Sequence, residues 1–198
     1  MPDSLKEAAT TFKDVEENIK AGEKLLTPYD WENYDIVLVP NFMFAGMENP
    51  QLTFYDESSM EDEHLSRIMT HEIAHSWFGN TVTYKNYEHF WLNEGFTTFI
   101  TSNMIAKVHG TPEQGLWEAL EWDKLKRKIK EFEEDKWPFM ALVNNLTGKK
   151  LNQITFSTVL KCFCHQALNL HQDQVLGGQP LQKFTIRRVQ YFCGIFKI

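Results

Sequence analysis

The stretch HEIAHSWFGN, His71 to Asn80, sets two histidines four residues apart with a glutamate directly after the first. On an α-helix, residues four apart share one face about one turn apart, so both imidazoles can reach a single ion. Glu72 then lies about a quarter-turn round the helix, where its carboxylate can hold a water beside the ion without ligating it. A zinc ion in a hydrolytic site needs a third protein ligand and an open position, and a carboxylate often supplies the third. Glu94 follows His75 after eighteen intervening residues. His71, His75 and Glu94 thus compose a two-histidine, one-carboxylate shell for one Zn²⁺, with Glu72 free to act as general base.

The elements that must hold these groups are legible around them. Ser58 to Phe78 reads as one helix, with Ser58, Ser59 and Asp62 as caps, Glu61 to Glu63 in the first turn, and Leu65, Ile68, Met69 and Ile73 as its apolar stripe. Gly79-Asn80 closes it with residue types that tolerate a left-handed backbone. A second helical pattern carries Glu94 near its start and packs through Phe96, Phe99, Ile100 and Ile105. A third, opened by Pro112 and stopped before Pro138, reads as scaffold with Leu116, Trp117 and Leu120 on its packing face.

The pattern H-E-x-x-H-x₁₈-E, with Gly46-Met47-Glu48-Asn49 upstream, resembles the gluzincin aminopeptidases, peptidase family M1. With WENYDIVLVPNF before it and HFWLNEGFTTF after it, the wording is most similar to the leukotriene A(4) hydrolase and aminopeptidase B branch, over about Ala8 to Gly148. The resemblance implies an α+β fold: a thermolysin-like zinc metallopeptidase catalytic domain, mostly helical after a short N-terminal strand region, and truncated. It implies that Gly46, Met47, Glu48 and Asn49 line the substrate channel as a strand and that Glu48 binds the free α-amine of a peptide substrate. A buried ammonium does need such a partner, because without one it is costly. The implied activity is removal of N-terminal residues from peptides by metal-activated water. Epoxide hydrolysis of a leukotriene is a further activity of the branch that no residue here demands.

The sequence also departs from the family. Ala45 stands where the branch has a first glycine, which would cost about 1 kcal/mol if that backbone needs positive φ. Phe78 stands where the branch has threonine. The family's oxyanion-binding tyrosine, in a P-Y-E-K-G-like segment downstream of the third ligand, has no match, and Tyr191 stands in unrelated surroundings. The family's N-terminal β-domain and helical C-terminal domain have no counterpart. The reading is therefore a truncated chain of impaired activity, and the alternative is a catalytically inactive fragment that holds zinc and at most binds peptides or partners.

A chain of 198 residues suffices for one domain with a real core, and its net charge of −7 conceals a break. Residues 1–148 carry 13 Lys+Arg against 26 Asp+Glu, whereas residues 149–198 carry 7 against 1 and hold Cys162, Cys164 and Cys193. That shift divides the chain into a partial catalytic domain, 1–148, and a basic cysteine-containing tail, 149–198. Seven dispersed basic residues without an interleaved motif read as a solvated face, not as a nucleic-acid surface. The run Cys162 to His165 lacks the paired spacing of a structural zinc site and reads as free thiols. The start of the chain reads as a charged amphipathic helix with no apolar signal segment, and no run has membrane-spanning length. Together with the odd cysteine count this predicts a cytoplasmic protein with no membrane partner, in which Asn145 of NLT is not glycosylated.

Overall fold

The charged start of the chain folds as two helices, not one. In the computed structural model, which describes residues 2–61 and 65–131, they are α1 (Pro2–Thr11) and α2 (Val15–Leu25). The break falls where Phe12 turns inward: its ring is buried, 5.0 Å from that of Tyr55. Helix α2 buries Asn18, Ala21, Gly22 and Leu25, the 3–4 spacing of one helix face. Gly22 is required there, because a Cβ would sit 2.5 Å from the indole of Trp77.

Three short strands follow: β1 (Asp35–Val39), β2 (Gly46–Met47) and β3 (Leu52–Asp56). They form one sheet in the order β1-β3-β2, with β1 parallel to β3 in the register Val37 to Phe54, and β2 antiparallel to β3 in the register Met47 to Phe54. The turns between them rest on Asn41 and Gln51, at φ of 53° and 65°. No other described non-glycine residue has positive φ, so Ala45 sits in its place without the strain that the sequence comparison raised.

The helix predicted over Ser58 to Phe78 is shorter at both ends. Residues 57–61 form a 3₁₀ turn in which the Ser58 hydroxyl bonds Asp56 instead of capping, and α3 spans Leu65–Ala74. Helix α4 (Phe90–Val108) is the second predicted helix, and α5 (Thr111–Glu131) covers the third as far as the structure describes it. In α5 the expected packing face is partly wrong: Leu116 is exposed, while Leu125 is buried.

Helix α4 is buried on almost every side and forms the centre of the molecule. α3 packs against one side of it, α2 and α5 against others. Ile73, Leu92, Ile100 and Met104 are all at most 1% exposed. Each such side chain contributes about 1.5–3 kcal/mol when removed from water, so burial of these residues anchors α4 and α3 in the core. A buried polar pin adds register: the Thr70 hydroxyl donates to Asn18 Oδ1 at 2.7 Å, joining α3 to α2. The fold is thus mostly helical with a small mixed sheet, and among the described residues no helix is long and apolar enough to cross a membrane.

Candidate functional site

Helices α3 and α4 run past each other in a register that pairs side chains. The Nδ1 of His75 lies 3.1 Å from Thr97 Oγ1, and that of His71 lies 3.4 Å from Thr101 Oγ1. One turn back along α3 corresponds to one turn forward along α4, so the two helices are antiparallel here. His75 lies just beyond the last residue of α3, yet its N–H still donates to the His71 carbonyl at 3.2 Å and keeps the i, i+4 relation that the motif needs. The following turn is fixed from outside. Trp31 Nε1 donates to the Ser76 carbonyl at 3.2 Å, and Trp77 Nε1 donates to the Thr27 carbonyl at 3.1 Å.

These contacts decide which imidazole nitrogens are free to ligate. His75 Nδ1 faces the carbonyl of Phe78 at 2.9 Å, and a carbonyl can only accept, so Nδ1 carries the proton and Nε2 keeps its lone pair. The Thr101 hydroxyl donates to the Thr97 carbonyl at 2.8 Å and so offers His71 Nδ1 a lone pair. Both Nε2 atoms then face Glu94: His71 at 3.5 Å and His75 at 3.9 Å from its Oε2. An ion with N and O ligands at about 2.0–2.2 Å in a tetrahedral array holds those atoms about 3.3–3.6 Å apart. The donor set therefore fits one ion with little movement. Glu48, Glu72 and His75 also cluster within 4.8 Å, but that group offers one imidazole against two carboxylates. The nitrogen-rich group is the better match to zinc.

Glu72 is buried on α3 beside the backbone of β2. A Cβ on Gly46 would stand 2.6 Å from the Glu72 carboxylate, so glycine is needed to let strand and acid approach. Glu48, just past β2, is held twice: Asn80 Nδ2 donates to its carbonyl at 2.8 Å, and Asn93 Nδ2 donates to its Oε1 at 3.1 Å. Asn49 lies in the turn back to β3, its carbonyl accepting from Leu52 N–H at 3.0 Å. A cavity of about 800 Å³ opens onto Met47, Glu48, Glu72 and the three candidate ligands.

One wall of this cavity is aromatic. Tyr84, Tyr87 and Phe90 line it with ring centroids 5.5–5.9 Å apart. Burial, then the neighbouring Tyr87, and then the carboxylates Glu48 and Glu94 push the Tyr84 phenol up to about 12, so it remains a hydrogen-bond donor at neutral pH. Deeper in, the Tyr34 and Tyr55 hydroxyls bond each other at 3.1 Å, and burial raises both phenols.

The structure brings seven of the eight residues that the sequence nominated onto one cavity: His71, Glu72, His75 and Glu94 from the helical side, and Gly46, Met47 and Glu48 from the strand side; Asn49 does not line it. The sequence reading missed Tyr84, Asn93, Thr97 and Thr101. A signal existed for three of them, since Asn93, Thr97 and Thr101 recur every four residues and so share a face of α4. Phe78, odd by comparison with the branch, packs its buried ring on Phe96 at 5.5 Å and serves the site through its carbonyl. His109 is an ordinary polar residue bonded to Ser66 at 2.9 Å. The cysteines, Tyr191, Asn145 and the end of the third predicted helix lie outside the described residues.

The chain is similar to known proteins. The family model described as the peptidase family M1 domain matches residues 10–175, running past Gly148 where composition and charge change. Leucine aminopeptidase 2 of Aspergillus niger is 33% identical over 201 residues, covering 99% of this chain and 31% of that protein. Leucine aminopeptidase 2 of Emericella nidulans is 37% identical over 198 residues, covering 98% of this chain and 31% of that protein. Among solved structures, yeast LTA4 hydrolase in complex with Bestatin matches with a TM-score of 0.86 and 34% identity, covering 99% of this chain and 31% of that chain. The chain thus spans about a third of the length of these relatives.

Proposed function

Since the chain belongs to peptidase family M1, we propose that it forms the zinc-holding part of an aminopeptidase that removes N-terminal residues from peptides. One observation carries the reading: Glu48 stands on the same cavity as the His71, His75 and Glu94 group, with His75 Nδ1 3.8 Å from its Oε1. A metal site alone fits many hydrolases. A carboxylate beside it, facing the cavity, selects a substrate that begins with an ammonium group.

In this reading His71, His75 and Glu94 hold Zn²⁺ in a thermolysin-like site, and Glu48 holds the α-amine. The ion, when bound, supplies Lewis-acid polarisation and a water of lowered pKa. Glu72 would take a proton from an attacking water and would later deliver one to the leaving amine. Strand β2 lies at the edge of the sheet, so Gly46 and Met47 can offer main-chain groups to an extended peptide. The aromatic wall of Tyr84, Tyr87 and Phe90 suits an apolar side chain. It also leaves room for a second reading, hydrolysis of a lipid epoxide, which the likeness to yeast LTA4 hydrolase favours. We assign the protein to the cytoplasm on its three cysteines, an odd number that suits a reducing compartment.

The test is a zinc measurement with a turnover assay on the purified chain. We expect one zinc per chain, hydrolysis of a leucyl amide, and a loss of about a hundred- to ten-thousand-fold in Glu72→Gln with zinc retained. A wild-type chain without zinc, or leucyl-amide hydrolysis unchanged in Glu72→Gln, would reject the assignment.

A further inference from the structure

Asn93 precedes the third candidate ligand by one residue, and its side chain does not stay within its own helix. Its Nδ2 reaches across to Glu48 Oε1 at 3.1 Å, while its Oδ1 lies against Gly79. Gly79 makes that contact feasible. Its φ is 120°, and a Cβ there would stand 2.1 Å from Asn93 Oδ1 and 3.1 Å from His75 Nδ1.

The amide's orientation follows from charge. Turned over, it would place its oxygen against the Glu48 carboxylate, two acceptors facing each other; as found, its N–H donates to the carboxylate. Oδ1 is buried and has no hydrogen-bond partner among the described residues. The side chain therefore forgoes one hydrogen bond to make the one to Glu48. Asn80 completes the hold by donating to the Glu48 main-chain carbonyl at 2.8 Å, so carboxylate and backbone are fixed from two different segments.

We propose that Asn93 is the positioning residue that sets the distance between Glu48 and the metal ligands, so that the length of one amino-acid residue, from amine to scissile carbonyl, is built into α4. Asn93 and Glu94 are adjacent on one rigid, buried helix. A shift of α4 moves Glu94 and the Asn93 amide together, and with them the Glu48 carboxylate, so the spacing between Glu48 and that ligand is preserved. This rests on the aminopeptidase reading, in which Glu48 binds the amine. Asn93 touches no reacting atom and acts through Glu48.

The experiment compares binding of leucyl-leucine and N-acetyl-leucyl-leucine to the zinc-loaded chain by titration calorimetry, in wild type and Asn93→Ala, with zinc content measured alongside. We expect the wild type to favour the free amine, and Asn93→Ala to lose about tenfold of that preference, the effect of one charge-assisted hydrogen bond, with zinc content and binding of the acetylated peptide unchanged. An undiminished preference in Asn93→Ala would overturn the proposal. A wild type indifferent to acetylation would overturn it too, by removing the aminopeptidase reading beneath it. If Asn93→Ala does not load zinc, Asn93→Leu, which keeps the side-chain volume but has no donor, replaces it, and the same two results decide.

Discussion

The two halves of the site are built differently. The candidate metal half is a cage: His75, Glu94, Thr97 and Thr101 are all at most 6% exposed, and the Nδ1 of both His71 and His75 has a hydrogen-bonding neighbour. The proposed amine half is an arm: β2 has only two residues, Met47 is exposed, and Glu48 is held by two asparagine amides that belong to other segments. The cage draws its precision from apolar burial between two helices, which resists deformation because interiors are closely packed. The arm draws its precision from single hydrogen bonds, worth about 0.5–1.5 kcal/mol for the one to the carbonyl and about 1.5–3 kcal/mol for the one to the carboxylate. Perturbing the cage should therefore change metal content, and perturbing the arm should change substrate recognition while metal content stays.

The largest effect expected is on the cage. His71→Ala combined with His75→Ala should reduce bound zinc from one per chain to background, read by metal analysis after dialysis. Equal zinc in the two proteins would dissolve the distinction between the halves.

Gly46→Ala probes the point where arm meets base. A Cβ 2.6 Å from the Glu72 carboxylate must push strand or acid aside, an overpacking that typically costs about 1–3 kcal/mol. Turnover should fall at least tenfold with zinc content unchanged. A fully active Gly46→Ala would mean that the arm is softer than the geometry indicates.

Thr101→Val keeps the volume of a buried side chain but removes the hydroxyl that faces His71 Nδ1 at 3.4 Å. Groups behind a metal-binding histidine typically contribute ten- to a hundred-fold in affinity, and at this long distance the expected loss is about tenfold. Competition with a chelator measures it, and an unchanged zinc affinity would show that the cage is set by packing alone.

The smallest effect is electrostatic. The Tyr84 phenol, pushed up to about 12, favours its neutral form in the folded chain, so its contribution to stability is complete below about pH 10 and is lost as pH rises toward 12. Tyr84→Phe should flatten the fall of the urea midpoint over that range. An identical fall in both proteins would assign it to Tyr34 and Tyr55 instead.

The candidate site residues could be nominated from helical patterns. His71, Glu72 and His75 depend only on the helical period, and α4 was visible as an apolar pattern with Glu94 at its start. Helix ends were less legible. Ser58 and Ser59 have the right chemistry for caps, but Asp56 captured the Ser58 hydroxyl and the chain made a 3₁₀ turn first. The N-terminal segment has helical composition throughout, and only the pull of Phe12 onto Tyr55 divides it into α1 and α2.

By itself, the sequence determined which groups could hold an ion, which carboxylate could act as base, and which helices would carry them, since each follows from residue type and a period of 3.6. Only the tertiary structure decided the register of α3 against α4, which pairs His75 with Thr97 and His71 with Thr101. It also decided the reach of Asn93 and Asn80 to Glu48, and the close approach of Gly46 to Glu72. Those contacts join residues tens of positions apart, and their distances are set by how buried apolar faces interlock, which no local pattern encodes.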